Sequence, residues 1–254
     1  MTENDEAKVL AEARRNRTRS TPLLSSGIDE NEAYTLQDAA ADAYGCPRIG
    51  YKIGATSPEA RRIIGCDGPF YGPMFEADLI APGSKVPVDE TMLGLECEFA
   101  FQMARAFPNE GDARTREAVA GAIARCVPAF EIVGSHIVGS GFPTATSCIA
   151  DFGLNALFCP GSDMPNWRNE DLAAMAVTAS VDGVETNSGD GSNVYGHPLD
   201  ALLWLVGALE QRGRRLEEGD WISTGTCLGV VAIQPGSSVT TRFSNGAELS
   251  MSFA

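Results

Sequence analysis

The sequence predicts an α+β protein whose core is a mixed, largely antiparallel set of strands. Three observations carry this. Residues 1–45 are rich in Ala and read as helical. From Gly50 onward, short apolar segments are split by Gly and Pro, the punctuation of strands and turns. The order, helices first and mostly strands after, separates the two element types instead of alternating them as a parallel sheet requires. A chain of 254 residues suits one large or two modest domains. The expected division is an N-terminal helical segment over 1–45 and a β-rich domain carrying the chemistry over 46–254.

The elements follow in order. Ala11 to Arg19 carries Arg14, Arg15, Arg17 and Arg19 and reads as an amphipathic surface helix. Thr35-Leu36-Gln37-Asp38 offers a helix start. Strands are expected at Tyr51–Ala55, Leu93–Ala104, Val127–Val133, Ala156–Cys159 and Ala176–Val181. Further strands are expected at Trp221–Thr224, Val230–Ile233, Val239–Phe243 and Glu248–Phe253. Helices are expected to interrupt them at Ser57–Ile64, Arg114–Arg125 and Pro198–Gln211. No repeat of 20–50 residues is visible.

Charge and composition narrow the function. The chain carries 34 acidic against 19 basic residues, a formal net charge of −15. Such a field repels phosphate backbones and argues against nucleic acid as a partner. No apolar stretch approaches a membrane span, and Met1 to Asp5 is polar and acidic, unlike a secretory signal. The seven cysteines are scattered, without a C-x-x-C pair, and read as buried thiols of a cytoplasmic protein.

The main chemical signal is a set of glutamates. If Leu95 to Phe101 is a strand, Leu95, Cys97, Phe99 and Phe101 share one face, and Glu96, Glu98 and Ala100 the other. The two carboxylates then stand about 6–7 Å apart along the strand. Like charges at that range resist joint ionisation unless a cation or water intervenes. Alone, the pair fits an edge strand with its glutamates in solvent. A second segment shifts the balance: Glu131 lies in the apolar run Val127 to Val133, on the face of Val127, Ala129 and Val133. A lone carboxylate there is costly without a cation or proton. Three glutamates on two strands make an oxygen-only metal site, which favours Mg²⁺, Mn²⁺ or Ca²⁺ over zinc.

Lys52 sits in Gly50-Tyr51-Lys52-Ile53-Gly54. It reads either as a strand lysine with its ammonium in water or as a partly buried group that binds substrate and moves protons. His136 follows the Glu131 strand, and His197 precedes Pro198 at a helix start, where a structural role is natural. Gly189 to Asn193 lacks the lysine of a phosphate-binding loop. Ser223 to Gly229 is a small-residue loop whose hydroxyls and N–H groups could hold a carboxylate or enolate, or which could be a plain turn. It has no G-x-S-x-G elbow.

Taken together, these segments resemble the fumarylacetoacetate hydrolase superfamily, in its branch of 2-keto-4-pentenoate hydratases and 4-oxalocrotonate decarboxylases. The matching pieces are G-Y-K-I-G at 50–54, T-S at 56–57, F-Y-G-P-M-F at 70–75 and L-E-C-E-F-A-F at 95–101. V-P-A-F-E-I-V at 127–133, G-H-P-L at 196–199 and G-D-W-I-S-T-G at 219–225 complete the order. The resemblance implies a mixed β-roll, a homo-oligomer, and a Mg²⁺ or Mn²⁺ ion on Glu96, Glu98 and Glu131. It places Lys52 in the active site and Gly225 and Thr226 near substrate. The chain departs from the branch at Gly134-Ser135-His136, where members often carry acidic-Ser-Arg, and at Glu76-Ala77-Asp78, where an Asp-Asp pair is common.

The expected activity is hydration of a 2-hydroxy-alkadienoate, with a small 2-oxo acid as partner. The metal would bind the substrate carboxylate and 2-oxygen and stabilise an enolate. Lys52, with Glu76 or Asp78, would move protons, and Ser135 and His136 would touch substrate. The same site could serve decarboxylation, which needs a further cation such as Arg48, Arg61 or Arg62, or C–C bond hydrolysis with His136 as base. A non-catalytic ligand-binding protein is a further alternative, which loss of a glutamate would favour. None is lost.

Overall fold

Strand-forming segments and glycine turns after residue 45 assemble into two sheets, with helices packed against them. A computed structural model describes residues 3–20, 27–138 and 144–254. The helices are α1 (Glu3–Asn16), α2 (Glu30–Tyr44), α3 (Pro58–Ile64), α4 (Arg116–Ala120), α5 (Ala145–Ala150) and α6 (Pro198–Gln211). The strands of the larger sheet are β1 (Arg48–Gly54), β2 (Phe70–Phe75), β4 (Met92–Met103), β5 (Ile123–Gly134), β6 (Asn155–Pro160) and β9 (Trp221–Val231). They lie in the order β2-β1-β9-β4-β5-β6. The smaller sheet has the order β3-β11-β10-β7-β8, formed by β3 (Lys85–Val86), β7 (Ala176–Val181), β8 (Val184–Asp190), β10 (Ser238–Phe243) and β11 (Glu248–Phe253). All pairings are antiparallel except β1 with β9 and β3 with β11. The mixed helix-and-sheet architecture is therefore as expected.

Period-two patterning fixes which way β4 faces. Leu95, Cys97, Phe99 and Phe101 enter the main core with Val177, Val239, Phe243 and the α6 leucines. Phe99 meets Phe243 edge-on at 5.0 Å, so this face seals the two sheets together. The opposite face carries Glu96, Glu98 and Ala100, and Ala100 belongs to a separate cluster with Val127 and Ala129 of β5.

Several boundaries differ from expectation for identifiable reasons. Helix α2 begins at Glu30, not near Thr35, because Asp29 and Glu32 form a reciprocal capping box. The helix expected over Arg114–Arg125 is the single turn α4, ended at Gly121, since β5 pairs with β4 from Ile123 onward. The two strands expected at Trp221–Thr224 and Val230–Ile233 are one, β9, with irregular register against β4. Strand β2 contains Pro73, which argues against a strand, but β2 is a sheet edge where a missing donor is tolerated. Strand β8 is polar and mostly exposed, without the alternation that would betray it. Helix α1 is more than a surface helix, because Arg14 is 3% exposed. Among the described residues, no helix is long and apolar enough to cross a membrane and no disulfide links the seven cysteines.

Candidate active site

The sheet order brings the predicted residues to one face. Glu96 of β4 and Glu131 of β5 are direct cross-strand partners, and Glu98 lies two residues along from Glu96. One carboxylate oxygen from each of the three falls within 4.8 Å of the others. Glu98 and Glu131 are fully buried, and Glu96 is half-buried. Lys52 of β1, 2% exposed, reaches the same place. Its Nζ lies 3.2 Å from Glu131 Oε1 and donates to the Gly153 carbonyl at 2.9 Å.

Three carboxylates and one ammonium leave an excess of negative charge in a buried place. Burial, and repulsion among the carboxylates themselves, push Glu98 well above the usual range. Burial also raises Glu131, although Lys52 and Asn155 partly oppose it. Burial pushes Glu96 up to about 7, against the pull of Lys52. Lys52 feels burial downward, but the three glutamates outweigh it and its pKa rises. Two buried oxygens, Glu98 Oε1 and Glu131 Oε2, have no hydrogen-bond partner among the described residues. An unpartnered buried charge costs several kcal/mol, of order 3–5. A divalent cation among these oxygens would satisfy both and balance the charge, so the donor set fits the hard, oxygen-liganded ion expected from the sequence.

Other residues orient the carboxylates. Ser223 Oγ donates to Glu98 Oε2, and Gly225 N–H donates to the same oxygen at 2.9 Å. Gly225 has φ +105°, and a Cβ there would lie 2.3 Å from Thr56 Oγ1, so only glycine fits. Asn155 Nδ2 donates to Glu131 Oε1 at 3.1 Å. Behind it, Arg14 Nη2 donates to Asn155 Oδ1 at 3.1 Å and to Asp78 Oδ2 at 2.7 Å. Arg14 thereby fixes which end of the Asn155 amide faces Glu131. The Ser223–Gly229 segment was expected from its hydroxyls and N–H groups to hold a carboxylate or enolate, and here it holds Glu98; Asn155 and the role of Arg14 were not read from the sequence. A buried Asn on a strand carries no spacing signal, and the Arg14 contact spans 141 positions.

The cluster opens into a cavity of about 600 Å³ lined by Lys52, Glu96, Thr56, Ser57, Gly225 and Thr226 together with apolar side chains. Gly225 and Thr226 thus border the cavity, although the Gly225 N–H serves Glu98 and the Thr226 hydroxyl donates to the Gly229 carbonyl. A larger cleft of about 770 Å³ lies beside Tyr51, whose neighbour Lys52 points the other way along β1. Its arginines are already paired: Arg48 with Asp220, Arg214 with Asp38 and Arg215 with Glu217.

Glu76, Ser135 and His136 were expected at substrate, and none of them lines the cavity. Glu76 is exposed at the start of a short 3₁₀ turn, and its neighbour Asp78 is held by Arg14. His136 is 2% exposed, with Nδ1 2.7 Å from Asp151 Oδ1. Its backbone N–H and the Ser135 hydroxyl both donate to Asp151 Oδ2. β5 ends at Gly134, and past a strand end alternation no longer fixes side-chain direction, so the chain turns both residues toward Asp151 at the end of α5. His197 caps α6, accepting from the Leu199 N–H at 3.0 Å. Asp190 likewise accepts from Ser192 N–H within a local turn.

This arrangement defines a carboxylate-rich, lysine-bearing pocket on a mixed sheet, and comparison with known proteins gives it a family. The model for the fumarylacetoacetate (FAA) hydrolase C-terminal domain matches residues 70–252, and the chain belongs to that family. It is 30% identical over 254 residues to the TodF product hydratase of Pseudomonas putida, covering 98% of this chain and 94% of that protein. It is 31% identical over 234 residues to a 2-keto-4-pentenoate hydratase of Burkholderia vietnamiensis, covering 90% and 88% respectively. It is 27% identical over 226 residues to a 4-oxalocrotonate decarboxylase of Pseudomonas putida, covering 87% and 84%. The solved structure of 4-oxalocrotonate decarboxylase from Pseudomonas putida G7, complexed with magnesium and adipate, shares the fold with a TM-score of 0.90. That match has 23% identity and covers 99% of this chain and 97% of that one.

Proposed function

We propose that the protein is a divalent-metal-dependent hydratase that adds water to a 2-hydroxy-alka-2,4-dienoate, giving a 4-hydroxy-2-oxo acid. The observation that carries this is the cluster of Glu96, Glu98 and Glu131, with two buried oxygens lacking a partner among the described residues, beside a cavity lined by Lys52 and Glu96. The relatives named as hydratases, matched over nearly their whole length, support the same reading.

Glu96, Glu98 and Glu131 would hold Mg²⁺ or Mn²⁺. When bound, the ion supplies Lewis-acid stabilisation of negative charge on the substrate 2-oxygen. Lys52 is anchored on the Gly153 carbonyl and Glu131, so its ammonium holds a fixed position beside the substrate oxygens. We assign it the binding of anionic substrate and the movement of the proton at the substrate 2-oxygen. The 2-hydroxyl proton lost as the enol becomes a ketone is balanced by one gained at C5, and water then adds its hydroxyl at C4 and its proton at C3, which completes the hydration without any other reactant. Gly225 and Thr226 shape the wall beside the substrate, and Ser223, Gly225 and Asn155 keep the carboxylates aimed. Glu76 has no part in this scheme. We give Ser135 and His136 the task of fixing the β5–α5 junction through Asp151.

A decarboxylase acting on a second carboxylate is supported by the relatives of that name. Its need for a further cation is not met by the candidates. Arg48 pairs with Asp220 on the other side of β1, Arg61 donates to the Ala55 and Thr56 carbonyls, and Arg62 pairs with Glu59. Within the same proposal, helices 1–45 brace a catalytic domain over 46–254, the two sheets form the walls of a roll, and the protein works as a homo-oligomer in the cytoplasm. Seven cysteines without a disulfide fit that compartment.

The test is incubation with 2-hydroxypenta-2,4-dienoate, with and without Mg²⁺, followed by ultraviolet loss of the dienol and product mass. Metal-dependent gain of one water is expected. Loss of carbon dioxide or chain cleavage from a dicarboxylic analogue, with the dienoate untouched, would overturn the hydratase reading.

A further inference from the structure

We propose that the cavity takes dienoates carrying an apolar substituent at C5, an alkyl chain or aryl ring, in preference to the unsubstituted five-carbon acid and to any dicarboxylate. This rests on the hydratase reading above and names the substrate class for that site.

The charged groups lining the cavity are Lys52 and Glu96, and its other polar side chains are the hydroxyls of Thr56, Ser57 and Thr226. Away from them its wall is Ile63, Ile64, Phe70, Leu93, Leu154 and Val230. Large exposed apolar side chains are few among the described residues, and three of them meet here: Ile63 is 42% exposed, Leu93 44% and Val230 50%. They come from α3, β4 and β9, so separate elements converge on one rim. Apolar surface left in water around a concave site marks a place that a ligand covers. Size points the same way. A five-carbon acid of eight heavy atoms fills roughly 100–150 Å³ at typical atomic volumes, while the cavity holds about 600 Å³. With the carboxylate and 2-oxygen held at the glutamates, C5 is the end of the substrate farthest from them, and a substituent there extends toward the rim. A carboxylate in that position would face aliphatic walls, and among the described lining residues Lys52 is the one cation. No Lys or Arg occurs in 21–26 or 139–143.

The experiment compares kcat/KM for three dienoates, bearing hydrogen, n-propyl or carboxylate at C5, in the intact protein with saturating Mg²⁺. Each buried methylene is worth roughly fourfold. The n-propyl substrate is therefore expected to exceed the unsubstituted one by about tenfold or more, and the carboxylate substrate to fall below both. In Ile63→Asp and Val230→Asp, which alter exposed positions and should fold, the ratio of propyl to unsubstituted substrate should drop at least about tenfold. A ratio near one in the unaltered protein, or preference for the carboxylate, overturns the proposal while leaving the hydratase reading intact. An unchanged ratio in both variants, with dissociation of an oligomer seen by sedimentation, also overturns it, since the rim then serves contact between copies. Failure of all three dienoates to react with metal present would instead sink the hydratase reading itself.

Discussion

Withdrawing the divalent cation should make stability fall as pH rises toward neutrality. Burial holds the Glu96 carboxyl at about 7 in the metal-free fold, against an ordinary value of 4.5. Between those values the folded chain keeps a proton that the unfolded chain has released. Unfolding then releases protons, so stability declines with pH across this window. The contribution is complete below the unfolded value and lost as pH passes through the folded one. A difference of about 2.5 pH units corresponds to roughly 3 kcal/mol. Glu96 is only half-buried, and solvent screening reduces this to about 2 kcal/mol. Glu98 and Glu131 shift in the same direction and add to it. Lys52 is raised above 10.5, so its loss of charge falls outside the window. For a chain of this length about 2 kcal/mol is roughly 4–8 °C in Tm. Calorimetry of chelator-treated protein from about pH 5 to 8 should show that decline. Saturating Mg²⁺ should flatten or reverse it, because carboxylates bound to a cation release their protons. A metal-free Tm that is level or rises over this range, or that Mg²⁺ does not change, would refute the cluster as a cation site.

Lys52→Met should retain Mg²⁺ binding and lose about 100-fold or more in kcat, read by dienol consumption; turnover within a few-fold of the parent would remove Lys52 from the chemistry. Asn155→Ala should weaken Mg²⁺ binding about 10–100-fold by titration calorimetry, since it strips a donor from Glu131. His136→Gln should lower stability by about 1–3 kcal/mol through the broken contact with Asp151, while leaving the ranking of substrates alone; an altered ranking would return His136 to the substrate.

What the sequence revealed of this site follows from how local each signal was. Glu96 and Glu98 were legible because strand alternation, a two-residue rule, separates them from Leu95, Cys97 and Phe99. Glu131 was legible because a carboxylate in an apolar run needs a reason. Past Gly134 the strand stops and alternation gives no direction, so the expectation that Ser135 and His136 touch substrate had no local pattern behind it. Ser135 and His136 take their direction from Asp151, a partner supplied by a different helix. The strands β2 and β8 were missed for a related reason. Both are sheet edges paired on one side only: Pro73 interrupts the pattern of β2, which is buried throughout, and β8 is polar and mostly exposed.

The first forty-five residues show the opposite case, in which a distant contact gives meaning to a segment that looks generic. Helix α1 reads as a charged surface helix, and one of its arginines is instead buried 3.0 Å or less from Asp78. That guanidinium has five donors in a rigid plane, and the three acceptors it reaches are Asp78 Oδ2 and both the side-chain and main-chain oxygens of Asn155. Lysine, a point charge with freely turning donors, would satisfy Asp78 and leave the Asn155 amide free to flip. Once flipped, the amide would present its oxygen to Glu131, adding a further acceptor to a place already rich in negative charge. The helix is thus tied to the carboxylate cluster through two side chains. The connection explains why Arg14 is buried at all: leaving water costs a cation several kcal/mol, and here Asp78 offsets that cost while Asn155 converts the arginine's geometry into the aim of a carboxylate.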